Sequence, residues 1–468
     1  MDMMRADRFI FLGMLAVLPA CGHDDPTQPV VIPPPQEAKG AAISIDPSKN
    51  FQTIVGWEAT AEAGEIECSN WGSYKSGVLD RIVNEVGINR LRLEIRSGSE
   101  GDKDWFALWQ AGSISRDEWR AHRYAPVNDN SDPSVIAPGG FHFTNMDRVI
   151  EEVVNPVRQR LAARGEALYV NLNYVDFANT AFEHKTNPAE YAEFLLATFQ
   201  HIRSSYGWTP DAIEIILEPD NTNWTGADIG RAIVATGDRL KAAGFSPDFI
   251  APSTTNMTTS LAYVEQLIAV PRVREYITDI AYHRYSGVSL SSLQNIAQRA
   301  ASLGLRTAML EHIGSGYQDL HADLGVGRNS SWQQYVVAGC GGDGSQGGAH
   351  IAVTGSGANV EYVMGTRTRL LRQYFLFVRA GAVRIGATSA AATFEPLAFR
   401  NTDGGYVVVV KADGAGEFHV KGLPSGTYGV KYATASEWDI DAPDAILGDG
   451  YVLNASIPAA GVLTIYRR

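Results

Sequence analysis

The chain has 468 residues, 45% of them hydrophobic, and a formal net charge of −13. That length supports a large domain plus a smaller one, each with a packed core. The acidic balance speaks against nucleic acid, whose phosphates need clustered Lys and Arg, and suits a solubilised protein handling neutral ligands.

In chain order, Arg5 and Arg8 precede an apolar stretch over 9–17, and Leu18-Pro19-Ala20-Cys21 follows. This order is that of a targeting segment over 1–20, with an apolar run too short to span a bilayer. It resembles a bacterial lipoprotein signal, which implies cleavage before Cys21, lipidation of Cys21 and export to the cell envelope. Gly22 then favours the outer membrane. An ordinary secretory peptide is the alternative. Residues 21–41, with Pro33-Pro34-Pro35, read as an extended tether.

From 51 to 388, short β-like runs alternate with helical patterns. The strand candidates are 51–57, 89–95, 167–175, 212–217, 249–251, 279–283, 307–310 and 382–387. Most are apolar on both faces, as parallel strands covered by helices are. Eight such strands with intervening helices predict an α/β fold, a (β/α)8 TIM barrel over 51–388. A doubly wound sheet would need fewer strands and a phosphate-binding turn near its start, which the sequence lacks. After 388 the strands shorten and Gly- or Pro-rich turns separate them, the pattern of a C-terminal antiparallel β-sandwich over 389–468. Residues 42–50 are expected to join it as an edge strand. The aperiodic segments 97–144 and 315–357 read as binding loops.

Two carboxylates carry the chemistry. Glu218 closes the fourth apolar run and Glu311 the seventh. Both therefore sit at the carboxyl ends of barrel strands, where functional groups collect. A facing pair is what retaining glycosidic cleavage requires, one acting as acid/base and the other as nucleophile. Each alone reads equally well as a cap or a loop salt bridge. Trp224 follows the first glutamate and is placed to stack on a sugar ring, or else to fill loop core. Asp176 ends strand three as a further sugar-binding candidate. If Cys21 is lipidated, Cys68 and Cys340 remain, both in loops on one barrel face; they form either one disulfide or two separate thiols. Gly339 to Gly344 matches G-x-G-x-x-G but follows no strand. Histidine pairs at metal-ligand spacing, a P-loop and a nucleophile elbow are absent from the sequence, so no metal or cofactor is expected.

Several short motifs, in order, resemble glycoside hydrolase clan A and most of all family 30, over roughly 43–468. Ile216-Leu217-Glu218-Pro219 is similar to the clan's Asn-Glu-Pro acid/base motif. Ala308-Met309-Leu310-Glu311-His312 is similar to the family's nucleophile strand. Phe51 to Trp57 resembles its opening strand, Asn89 to Ile95 its second, and Phe377 to Ile385 its entry to strand eight. The resemblance implies a retaining β-glycoside hydrolase acting on a polysaccharide or oligosaccharide, with Glu218 as acid/base and Glu311 as nucleophile. It implies that Arg92 supports the nucleophile, unless it pairs with Glu94 at the rim. His283 and Tyr285 match the clan's His/Tyr position, where a Tyr bonds the nucleophile; His283 reads equally as a satisfied inner-barrel residue. Two departures stand out. Leu217 replaces the Asn that bonds the sugar 2-hydroxyl in the clan, leaving Asn171, Asn173 or Asn221 as substitute donors. Trp57-Glu58-Ala59 replaces Phe-Gly-Gly and puts an extra carboxylate near the mouth, where Glu58 binds sugar or pairs Arg92. Leu217 also motivates the rival reading, a carbohydrate-binding pseudoenzyme.

Overall fold

The computed structural model describes residues 34–340, 347–355 and 359–468. Cys21, the targeting segment and most of the tether lie outside them. None of the described helices is long and apolar enough to cross a membrane.

The first strand, β1 (Ala41–Thr53), belongs to the C-terminal sheet. The barrel then closes from β2 (Gly56–Thr60), β3 (Arg90–Arg96), β4 (Tyr169–Val175), β5 (Ala212–Glu214), β6 (Asp248–Asn256), β7 (Ile277–Ser286), β8 (Arg306–Glu311) and β9 (Asn329–Val336). All its ladders are parallel. The strands alternate in the usual period of two. Trp57 turns outward onto Phe375 of helix Thr366–Phe375, with ring centroids 4.8 Å apart. Glu58 turns inward. The inner surface holds a small apolar cluster of Ala212, Ile250, Ala281, Ala308 and Leu310. Three of these five are alanines, which leaves room for the polar layer described below.

The helices start and stop where their sequences direct. Helix Pro188–Tyr206 begins on Pro188 and ends at Gly207 in the left-handed conformation. Helix Gly226–Ala242 begins with a capping box between Thr225 and Asp228, an arrangement contributing about 1 kcal/mol.

After β9 come a three-stranded sheet, β10 (Ala338–Cys340), β11 (Ile351–Thr354) and β12 (Glu361–Met364), then β13 (Val383–Ser389), β14 (Phe394–Arg400), β15 (Tyr406–Ala412), β16 (Gly416–Lys421), β17 (Gly426–Thr434), β18 (Ile440–Leu447), β19 (Leu453–Ile457) and β20 (Gly461–Arg467). With β1 these last eight form one sheet ordered β18-β17-β20-β15-β14-β13-β1-β16-β19. Val407 and Val409 face the barrel helices, while Val408 and Val410 join a separate core with Ile43, Phe418 and Leu463. Thr464 donates to the Gln373 carbonyl at 2.8 Å, tying the sheet to the last barrel helix.

Three expectations need correction. The run 382–387 is not the eighth barrel strand; it lies in β13, antiparallel to β1 and β14. The eighth strand is β9, inside a segment read as a loop. Its sequence NSSWQQYV is polar yet almost wholly buried; Gln333 donates to Thr60, Trp332 to Asp323, and Asn329 accepts from Tyr282, while the side chains of Ser331 and Gln334 are buried without such a partner. Hydropathy does not register a strand whose place is set by its ladders with β2 and β8. Lastly, β1 is an internal strand between β13 and β16, not an edge, and the run 51–57 divides between β1 and β2.

Candidate active site

Glu311 ends β8. A register shift between β7 and β8 skips Leu310, so Glu311 stands opposite His283. Such irregularities re-aim a side chain. Glu311 is 6% exposed. One of its oxygens pairs with Arg92, which also donates to the Leu310 carbonyl at 3.3 Å. The other accepts from the Tyr285 hydroxyl at 2.8 Å. Burial alone would raise this carboxyl, but Arg92 outweighs it, with His283 and the two hydrogen bonds, and holds it below the ordinary glutamate value. Burial, together with the Glu311 charge, pushes the Tyr285 phenol upward, so it stays a donor.

Glu218 lies beyond β5, on a stretch anchored by Ile215 N–H to the Ile250 carbonyl and Leu217 N–H to the Tyr174 carbonyl. Its backbone is left-handed at φ 52°, ψ 61°, a conformation costing on the order of 1–3 kcal/mol for a residue with a side chain. The turn Pro219–Asn221 holds it there. Asp220 accepts from Thr255 N–H, Thr255 Oγ1 and Asn256 N–H, and Asn221 Nδ2 donates to Glu218 at 2.8 Å. His283 Nδ1 lies 3.1 Å from the other Glu218 oxygen. A carboxylate oxygen of Glu218, a ring nitrogen of His283 and a carboxylate oxygen of Glu311 all fall within 4.8 Å of one another.

Beneath them lies a buried polar layer. Glu214, wholly buried, has an oxygen 4.0 Å from His283 Nε2, and burial raises its carboxyl. Asn171 donates to Glu214 and to Glu58, and Glu58 pairs with Arg90. Above them opens a cleft of about 810 Å³. Its floor holds Arg92, Leu217, Glu218, Asn221, Tyr285 and Glu311; its walls include Glu62, Glu94, Arg96, Trp119, Tyr124 and Tyr335. Cys68 and Cys340, both on the rim, are joined by a disulfide.

The sequence-derived candidates thus separate into two groups. Glu218, Glu311, Arg92, His283, Tyr285 and Asn221 come together. Glu58 does not reach the mouth and pairs Arg90, not Arg92, because β2 places it deep in the barrel. Trp57 is wholly buried against the helix layer and donates to the Val378 carbonyl at 2.6 Å. Trp224 is 1% exposed among Tyr174 and Tyr191. Asn173 and Asp176 are buried and do not line the cleft; burial raises Asp176 to about 6. Sequence reading missed Glu214, Glu62 and Tyr335. Glu214 was legible as a charged residue inside an apolar run, four positions before Glu218.

No family model matches the sequence, and no curated protein does. Solved structures do. The chain is similar to the catalytic domain of GH30 xylanase C from Talaromyces cellulolyticus, with 16% identity over 91% of this chain and 100% of that one, TM-score 0.67. A GH30 endoxylanase from Clostridium papyrosolvens gives 15% identity, 91% and 100% coverage, and TM-score 0.63. The chain has the fold of glycoside hydrolase family 30. An endo-beta1,6-glucanase with TM-score 0.64, 15% identity and 92% and 95% coverage shares that fold. The fold is a barrel with an attached β-sheet domain; in this chain Glu218 lies just past the fourth barrel strand and Glu311 ends the seventh.

Proposed function

We propose that the protein is a retaining β-glycoside hydrolase acting on a polysaccharide or its oligosaccharides. The observation that carries this is the proximity of Glu218 and Glu311 oxygens, within 4.8 Å. Retaining enzymes set their carboxyl groups about 5–5.5 Å apart, whereas inverting ones leave room for a water at about 6.5–9.5 Å. Glu311 is held ionised by Arg92 and Tyr285 and attacks the anomeric carbon, while Glu218 protonates the departing oxygen. A glycosyl ester forms on Glu311 as the sugar–oxygen bond breaks. Water then attacks the anomeric carbon, gives its proton to Glu218, and frees Glu311. The similarity in fold to xylanases and to an endo-beta1,6-glucanase supports a polysaccharide as substrate class. The segment Leu18 to Cys21 further supports an exported protein held at the envelope by a lipid on Cys21, its Pro-rich tether spacing the barrel from the membrane.

The test is intact mass after incubation with 2-fluoro glycosides carrying activated leaving groups, across several sugars. A mass gain in the wild type that is lost in Glu311→Gln is expected. Leu217 favours the rival reading, a carbohydrate-binding pseudoenzyme. Oligosaccharide binding with neither adduct nor hydrolysis at any pH would establish that reading instead.

A further inference from the structure

A second carboxylate cluster lies apart from Glu218 and Glu311, where insertion 97–144 meets the first turns of helix Pro188–Tyr206. Asp129, Glu190 and Glu193 bring carboxylate oxygens within 4.8 Å of one another. Glu193 is 1% exposed, and neither of its oxygens accepts a hydrogen bond from a protein donor. Glu190 Oε2 and Asp129 Oδ1 are buried and likewise unpartnered. The other Asp129 oxygen accepts from Ala137 N–H at 2.7 Å. Behind it stands Glu100, 2% exposed, which takes the Asp129 N–H at 2.9 Å and faces His184 Nε2 at 3.1 Å. The cation that acts on Glu193 is Arg239, whose guanidinium is engaged by the Pro133 carbonyl. A desolvated carboxylate without donor or ion-pair partner is among the costliest groups to bury.

We propose that Asp129, Glu190 and Glu193 form a calcium site. The donors are all hard oxygens, with no nitrogen or sulfur among them, which suits Ca²⁺ rather than Zn²⁺. Three carboxylates, capable of one- or two-oxygen binding, suit the adaptable coordination of Ca²⁺ better than the strict octahedron of Mg²⁺. The ion would neutralise the orphaned Glu193. It would also fasten the insertion to the barrel: Asp129 lies on the segment that brings Trp119, Arg123 and Tyr124 to the cleft wall, whereas Glu190 and Glu193 belong to the helix after β4. The site therefore holds one wall of the cleft through a ligand set that does not touch substrate.

The test uses the purified protein after removal of divalent ions with a chelator. Calcium content after equilibrium dialysis against about 1 mM CaCl₂, within the range of extracellular sites, and the thermal unfolding midpoint with CaCl₂ or MgCl₂ are measured. One calcium per chain and a midpoint raised by several degrees with CaCl₂ are expected. Glu193→Gln should lose both effects. Asp129→Asn, at the partly exposed edge, should weaken them and serves if the first variant does not fold. No calcium retained by the wild type, or a Glu193→Gln protein that takes up the same calcium, overturns the site. A Glu193→Gln protein more stable than the wild type, with neither responding to calcium, points instead to a proton shared between Glu190 and Glu193.

Discussion

Glu311 shows how a nearly buried group stays ionised. Burial disfavours its charge, and a guanidinium plus a phenol hydroxyl restore it. Its carboxyl is depressed below 4.5, so the active anion persists as pH falls through the usual glutamate range. The acidic limb of kcat/KM is therefore expected below 4.5. The sign follows for stability as well: the contribution is present above the unfolded value and is lost as pH falls through the folded one. Arg92→Gln removes the largest opposing charge, so the acidic limb should move to higher pH, while Arg92→Lys should move it less. A pH–rate profile of the three proteins checks this, and an unmoved limb in Arg92→Gln would contradict it. Leu217 has its own consequence. Of the three candidate substitutes, Asn171 donates to Glu58 and Glu214, Asn221 donates to Glu218, and Asn173 does not line the cleft. A 2-hydroxyl bond that strengthens in the transition state contributes several kcal/mol in such enzymes. Here a 2-deoxy substrate should lose much less than that equivalent in kcat/KM relative to its parent. A penalty of several hundred-fold would reveal a donor elsewhere.

At the scale of elements, one buried charge couples two strands and a helix. Asp323, on helix Tyr317–Gly325, accepts from Arg284 at 2.7 Å and Tyr282 at 3.0 Å, both on β7, and from Trp332 at 2.8 Å on β9. Burial raises its carboxyl from 3.8 to about 6 despite Arg284. A raised acid gives stability that is whole below the unfolded value and lost as pH rises through the folded one, here from 3.8 to about 6. Asp323→Ala should remove that pH dependence. It should also cost about 1–3 kcal/mol, since Tyr282 and Trp332 lose their acceptor while Arg284 keeps Asp319. Denaturant unfolding at several pH values reads both effects, and a loss below about 1 kcal/mol would show the network to be replaceable. Through Trp332 this network also ties β9 to β7 and to the helix.

At the scale of the whole molecule, the cleft is assembled from distant parts of the chain. The disulfide Cys68–Cys340 spans 272 residues and joins the loop after β2 to β10, both at the rim. A closure of that length constrains the unfolded chain strongly, and its removal typically costs about 2–5 kcal/mol. The Cys68→Ser/Cys340→Ser double variant should unfold earlier by that amount, as should the wild type under reductant. It should also show a higher KM, with a smaller change in kcat, because the bridge shapes the wall and not the glutamates. Unchanged unfolding and KM would mean that neighbouring contacts already fix the rim.

The sequence by itself determined the barrel, the trailing antiparallel strands, and the positions of Glu218 just past one strand and Glu311 at the end of another. Apolar runs and helical periods are local signals, and a carboxylate ending an apolar run marks a strand mouth wherever the strand goes. Only the tertiary structure decided which run closes the barrel. β9 is polar and β13 is apolar, and the choice rests on long-range ladders: β9 pairs with β2 and β8, β13 with β1 and β14. Only the tertiary structure, too, separated Arg92, which reaches Glu311, from Glu58, Trp57 and Trp224, which are buried elsewhere. The inward or outward sense of a side chain follows from register and from the skipped residue before Glu311, neither of which composition or periodicity encodes.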